Sequence, residues 1–240
     1  DFKSVLEARY NSLTEPLKIL PVKGDIIQNE GTANLSPKWH PTKYAYVYLS
    51  NKENDFIGQT DLFFHDLESG THKKIKSGVF SSPSWNLDGN KVYYSKKSKF
   101  PNKNGSRFYD IYSYDFQNDK EERLTKDLRA FSPVFISKDS SIAYLATYDG
   151  GQDVYLLDLK SNTSKKLTDF IDRPMISYLT YDNTTHKLYF DLTSHHFRDL
   201  YSLDLINNEI ELFAGNKLYD ERNIAFNNSG FSIHSTDRSG

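Results

Sequence analysis

The sequence predicts an all-β fold, a β-propeller of four-stranded blades, from two repeat markers that run in step and from a composition rich in Tyr and Phe. Residues 153–168 read "DVYLLDLKSNTSKKLT", and looser copies open at Asp61, Asp110 and Asp199, so that the four Asp residues lie 43 to 49 residues apart. Ser36-Pro37, Ser82-Pro83 and Ser132-Pro133, continued by Ser177-Tyr178 and Asn223-Ile224, recur every 45 to 50 residues. Each period divides into four short strand candidates; in the third they lie near Pro133 to Ile136, Ile142 to Thr147, Val154 to Leu159 and Ser164 to Thr168. Four strands per period of this length mark a propeller blade, and the three-and-four apolar spacing of helical repeats is missing. Aromatic residues make up 15% of the chain, with 17 Tyr and 16 Phe, side chains that suit a pleated, half-buried surface.

Taken in order, residues 1–23 read as an N-terminal helix and linker, because Phe2, Val5, Leu6, Arg9 and Leu13 fall on one helical stripe. Residues 24–240 read as the propeller segment, with repeats at 34–80, 81–130, 131–175 and 176–221 and a partial unit at 222–240. The stretch 24–28, "GDIIQ", is a candidate outer strand for a closing blade. Unpaired blade edges are unfavourable, so the chain is expected to be an incomplete segment of a six-bladed ring, with further blades or domains in a longer parent.

The third strands explain why the repeat is written as it is. Leu62, Ile111, Val154 and Leu200 point to one face and Phe63, Tyr112, Tyr155 and Tyr201 to the other. Apolar cover on both faces suits a sheet sandwiched between two neighbours, whereas a half-wet sheet alternates. The second Asp of each copy (Asp66, Asp115, Asp158, Asp204) precedes a turn pair such as Ser69-Gly70 or Asn207-Asn208, where a carboxylate can accept backbone amides. All eight Asp residues therefore read as structural rather than as catalytic carboxylates.

Charge and composition exclude several partners. The 30 basic and 32 acidic residues leave a formal charge of -2, which argues against nucleic acid and against a membrane surface. No apolar run reaches the roughly 18 residues of a membrane span, and the start lacks a signal-peptide pattern. The sequence contains no Cys, which removes disulfides, thiolate metal sites and cysteine nucleophiles.

The search for chemistry returns no catalytic motif. Gly-x-Ser-x-Gly and His-Glu-x-x-His are absent, and Gly105-Ser106 and Ser239-Gly240 form no nucleophile elbow. His195 and His196 are adjacent and point apart on an extended chain, and "YDGGQD" at 148–153 reads as a tight hairpin rather than a phosphate loop or calcium site. No catalytic, metal-binding or cofactor-binding residue is assigned, and no cofactor is expected. Two partner-binding candidates remain. The basic loop "KKSKFPNKNGSR" at 96–107 brings Lys99, Lys103 and Arg107 together in the longest connection, where binding residues concentrate. Arg129, Arg173 and Arg222 each precede a first strand, so they are expected on one face, either as a row that clamps a partner or as ties between blades.

The succession "SPSWNLDGNKVYYSKKS" then "YDIYSYDFQNDKEERLT" resembles the TolB-type propeller repeat, also called the WD40-like or PD40 repeat, over residues 34–240. Only Asp88-Gly89 keeps that repeat's Asp-Gly turn. The resemblance implies a six-bladed, non-catalytic scaffold that binds a protein or peptide outside the bacterial cytoplasm, in the periplasm or extracellularly. The alternative it implies is an accessory, substrate-gating propeller of a surface peptidase or prolyl-oligopeptidase-like hydrolase with catalysis in another domain. A third is a propeller lyase or other metal enzyme using channel histidines.

Overall fold

A computed structural model describes residues 1–18, 24–194, 196–216, 218–227 and 229–238, and the chain divides into two units, 1–30 and 31–240. In the first unit the helix α1 (Phe2–Lys18) extends past the apolar stripe, with Pro16 inside it. Asp1 caps it by accepting the Lys3 amide at 3.0 Å. Residues 24–28 do not form the expected outer strand: Ile26 is exposed, and no strand of the described residues pairs with them.

The second unit holds four four-stranded antiparallel sheets, each with its strands in chain order. Blade one comprises β1 (Asn34–Trp39), β2 (Ala45–Ser50), β3 (Asp61–Asp66) and β4 (His72–Lys76). Blade two has β5 (Ser84–Trp85), β6 (Lys91–Lys97), β7 (Tyr109–Asp115) and β8 (Lys120–Arg123). Blade three has β9 (Ala130–Ile136), β10 (Ser141–Tyr148), β11 (Gly151–Asp158) and β12 (Thr163–Lys166). Blade four has β13 (Met175–Asp182), β14 (Lys187–Ser194), β15 (Phe197–Asp204) and β16 (Ile210–Ala214). A two-stranded sheet follows, β17 (Glu221–Phe226) with β18 (Ser232–Thr236).

The core lies between the blades. Val47, Leu49 and Leu62 of blade one meet Val92, Tyr94 and Tyr112 of blade two. Tyr93 and Ile111 meet Ile142 and Tyr144 of blade three, whose other face packs Val154 and Leu145 against Leu188 and Phe190 of blade four. In the inner blades, sandwiching on both sides is why the third strand carries no wet face, whereas in blade one Phe63 is covered by Tyr48 and His72 of its own sheet.

Both markers acquire a physical role. In four of the five units the Ser or Asn of the second sits at a β-bulge of the innermost strand: pairing shifts between Leu35 and Lys38, between Phe131 and Val134, between Ile176 and Tyr178, and between Arg222 and Ala225. Ser36, Ser132 and Asn223 take φ near 50° at these bulges. The second Asp of each copy caps its turn, as Asp158 does by accepting the Lys160 and Ser161 amides at 2.7 and 2.8 Å. Four residues later comes a positive φ in every copy, at Gly70, Asp119, Asn162 and Asn208.

The first Asp ties the third strand to the exit of the fourth. Asp110, fully buried, accepts from Arg123 (2.6 Å), from the Thr125 hydroxyl (2.9 Å) and from the Asp127 and Leu128 amides (both 3.1 Å). Asp61 takes Lys74 (3.2 Å), Ser77 (3.3 Å) and the Gly78 amide (2.9 Å), and Asp153 takes Lys166 (3.0 Å), Thr168 (2.8 Å) and the Phe170 amide (3.2 Å). The register places the cation opposite the residue two beyond the Asp: Phe63 faces Lys74, Tyr112 faces Arg123 and Tyr155 faces Lys166. In blade four that position is Leu212, opposite Tyr201, and Ala214 stands where Thr125 and Thr168 carry hydroxyls. Asp199 keeps a backbone hydrogen bond from Asn216, but among the described residues its Oδ1 is buried without a partner.

The copies should therefore respond oppositely to mutation. Asp110→Ala removes one of the two carboxylates of Arg123 and leaves the Thr125 hydroxyl and two amides without their acceptor, and should cost about 1–3 kcal/mol in urea unfolding. Burial, then the nearby Asp220 and Glu221 carboxylates, hold the Asp199 pKa above its ordinary 3.8. The folded state therefore binds the proton more tightly than the unfolded state, and stability is lost as pH rises above 3.8. Asp199→Asn should raise the melting temperature at pH 7, with the gain shrinking toward pH 4; a loss at pH 7 would show that the charge is satisfied.

Candidate functional site

The inner strands of the four blades surround one cavity of about 400 Å³. Its wall includes Trp39, Trp85, Pro83, Pro133, Phe135 and Tyr181, with Lys38 the one formally charged group among its lining residues. Each aromatic is braced from behind. Trp39 stacks on Tyr44 at 5.7 Å and stays 56% exposed, and Phe135 stacks on Tyr93 at 5.7 Å. Trp85 lies against Phe116 and donates its indole N–H to Lys38 O at 3.1 Å, tying blade two to blade one. The hydroxyls of Ser81 and Ser84 are engaged by the Ser132 and Phe135 amides. What the cavity offers is aromatic and proline surface with few titratable groups, a lining suited to apolar and peptide contact. Sequence reasoning passed over these residues, although Trp39, Trp85 and Phe135 each stand three positions after a marker Ser.

His40 secures the wall from outside the cavity. Its Nε2 donates to Gly89 O at 3.0 Å, while Nδ1 accepts the Thr42 and Lys43 amides at 3.1 Å each. Burial holds its pKa below 6.5. A Cβ on Gly89, which has φ of 71°, would lie 2.1 Å from the ring, so the one retained Asp-Gly turn is fixed both by its backbone and by its neighbour.

The three arginines of the expected row occupy unequal places. Arg129 directly precedes β9 and lies over the Phe108 ring at 4.5 Å. Arg173 lies two residues before β13 and pairs with Asp149 at 2.7 Å. Arg222 does not precede its strand but is the second residue of β17, paired with Asp220. Of the basic loop, Lys97 and Arg107 line a cavity on one side of it, and Phe100, Pro101, Asn102 and Lys103 line one on the other. "YDGGQD" forms the expected tight hairpin, with positive φ at Asp149 and Gly150 between paired Tyr148 and Gly151.

Of the histidine pair, His195 lies outside the described residues. On blade one, His65 and His72 face each other with ring centroids 4.9 Å apart, and they bond the Tyr46 and Tyr48 hydroxyls at 3.0 and 2.7 Å. Among the described residues no group of three or more His, Asp or Glu is placed to hold a metal ion, and no helix is long and apolar enough to cross a membrane.

No protein-family model matches the chain, and no curated protein matches it. Among solved structures it is similar to TolB from Acinetobacter baumannii, at 20% identity and a TM-score of 0.65 over 82% of this chain and 47% of that one. It is also similar to a putative TolB from Agrobacterium tumefaciens, at 17% identity and 0.66 over 90% and 80%. A prolyl endopeptidase gives 10% identity and 0.60 over 85% of this chain and 32% of that one. The chain thus spans about half the length of the first TolB. At these identities the likeness establishes a TolB-like propeller fold, and proteins of different activity share it.

Arg129 and Arg173 carry φ of 53° and 50°, a left-handed conformation that costs a side-chain-bearing residue about 1 kcal/mol relative to Gly. Their exposed side chains return little of this. Arg173→Gly should accordingly exceed Arg173→Ala in stability by about 1 kcal/mol by urea unfolding. Equal stabilities would mean that the connector relaxes and carries no strain.

Proposed function

We propose that this chain is a non-catalytic propeller scaffold that receives a protein or peptide segment at the cavity between its inner strands, and that it acts outside the bacterial cytoplasm. The observation that carries this reading is the cavity wall. Aromatic and proline side chains from four blades converge on one opening, while the lining residues supply no carboxylate or imidazole for acid–base work. Recognition there needs no new chemistry: backbone groups of an entering peptide would meet Ser and Thr hydroxyls, and its apolar side chains would meet Trp39, Trp85 and Tyr181. The likeness to TolB structures supports the extracytoplasmic assignment.

The likeness to a prolyl endopeptidase favours a second reading, in which the same cavity steers a peptide toward a catalytic domain of a longer parent. A Gly-x-Ser-x-Gly or His-Glu-x-x-His domain encoded in the same gene would select it over the first.

Both Trp residues of the chain border this cavity, which makes its occupancy directly readable. Titration with a panel of peptides rich in proline and aromatic residues should change tryptophan emission saturably for at least one member, and Val134→Glu in the wall should weaken that binding by tenfold or more. If no member perturbs the emission, or if Val134→Glu binds as tightly as the parent, the cavity is not the receiving site.

A further inference from the structure

The connector face of blades two and three carries a second surface. Lys97, Lys99, Lys103, Arg107, Lys126 and Arg129 gather around the connection 98–108 between β6 and β7, and among the described residues none of them makes an ion pair. By contrast, basic residues on the nearby strands are paired: Lys96 with Glu121 at 2.7 Å and Arg123 with Asp110 and Asp127 at 2.6 and 3.0 Å. Several of the unpaired cations rest on aromatic rings instead. Lys97 stands 6.0 Å from the Tyr109 centroid, Lys99 5.4 Å from Phe100 and Arg129 4.5 Å from Phe108.

Apolar surface lies between the cations. Phe56, Phe80 and Phe100 are 71%, 58% and 71% exposed. A cleft of about 420 Å³ takes Phe56, Phe80 and Tyr109 on one side of the connection, and one of about 550 Å³ takes Phe100 and Phe108 on the other.

The connection is ordered by its own hydrogen bonds. Ser98 N donates to Phe108 O at 2.8 Å, Asn102 Oδ1 accepts the Asn104 and Ser106 amides at 2.9 Å each, and Arg107 Nε donates to Ser98 O at 2.8 Å. A surface ordered before its ligand arrives loses little entropy on binding.

We propose that this strip docks an extended, acidic polypeptide segment, a site separate from the cavity between the inner strands. Charge complementarity selects the acidic partner. An extended chain repeats its side chains on one face every roughly 6.8 Å, so carboxylates can meet the cations while alternate apolar residues enter the two clefts. Asp127, which lines the second cleft, and Asp149 beside it interrupt the basic surface, which opposes a continuous phosphate backbone more than a polypeptide whose carboxylates are spaced by apolar residues.

The proposal rests on the scaffold reading only in taking the partner to be a polypeptide. Fluorescence anisotropy of a labelled peptide of alternating Glu and Val should show saturable binding that weakens with salt, whereas the matched Lys–Val peptide should not bind. The triple charge reversal Lys99→Glu, Lys103→Glu, Arg107→Glu should weaken binding by tenfold or more with an unchanged far-UV spectrum. If that variant misfolds, the Gln versions at the same three positions provide the readout, with a severalfold loss expected. Phe80→Ser should weaken binding at an unaltered salt slope, and Val134→Glu should leave it intact; loss with Val134→Glu alone would move the acidic segment into the cavity and overturn the proposal. Unchanged affinity in the triple variant, equal binding of the Lys–Val peptide, or tighter binding of an oligothymidylate would overturn it as well.

Discussion

A buried carboxylate near the start of the third strand in blades one to three is the constraint on which the propeller depends. A blade is a local meander that its own hairpins can form, but stacking blades requires each fourth strand to turn sharply into the next first strand. That turn leaves part-buried backbone amides with no strand partner, and an unsatisfied group there is costly. Asp61, Asp110 and Asp153 solve the problem in one way, by collecting a cation and a hydroxyl from the departing strand together with the amides of the connector. The cation neutralises the carboxylate and the connector completes its shell, so the charge is buried without being isolated.

With the connectors held, the inner strands are placed by what links neighbouring blades. Trp85 to Lys38, His40 to Gly89, Ser84 to Phe135 and Gln152 to Ile176 are side chain-to-backbone bonds between consecutive blades. These fix the aromatic wall of the cavity while leaving its exposed faces free. Binding surfaces thus arise where the repeat is not obliged to repeat: in the residues three after each marker Ser, and in the connection 98–108, which has no counterpart of equal length in the other blades.

Much of this architecture was legible because blade formation is local. The four-strand period, the Asp-capped turns and the apolar third strands follow from spacings within a single repeat, and "YDGGQD" could be recognised as a hairpin on its own. Relations that cross strands were not legible. The recurring first Asp was visible, but its cation comes from another strand and its amides from the connector, so the loss of the pair at Asp199 shows only when the register sets Leu212 opposite Tyr201. Arg222 lies inside β17 because the first strand of its unit begins before its bulge, a distinction that marker spacing cannot make. "GDIIQ" has a strand's composition, but pairing rather than composition makes a strand, and no described strand pairs with it.

Native-state hydrogen exchange resolved by residue tests the carboxylate scheme most directly. The amides of Gly78, Asp127, Leu128 and Phe170 all donate to first-Asp carboxylates backed by a cation and a hydroxyl, whereas Asn216 donates to the incomplete Asp199. The first group should exchange only through global unfolding, with a denaturant dependence matching that of the core strands, and Asn216 should exchange through local opening that is faster by orders of magnitude. Equal protection at all five amides, or local opening at Asp127 and Leu128, would contradict the claim that these carboxylates hold the blades together.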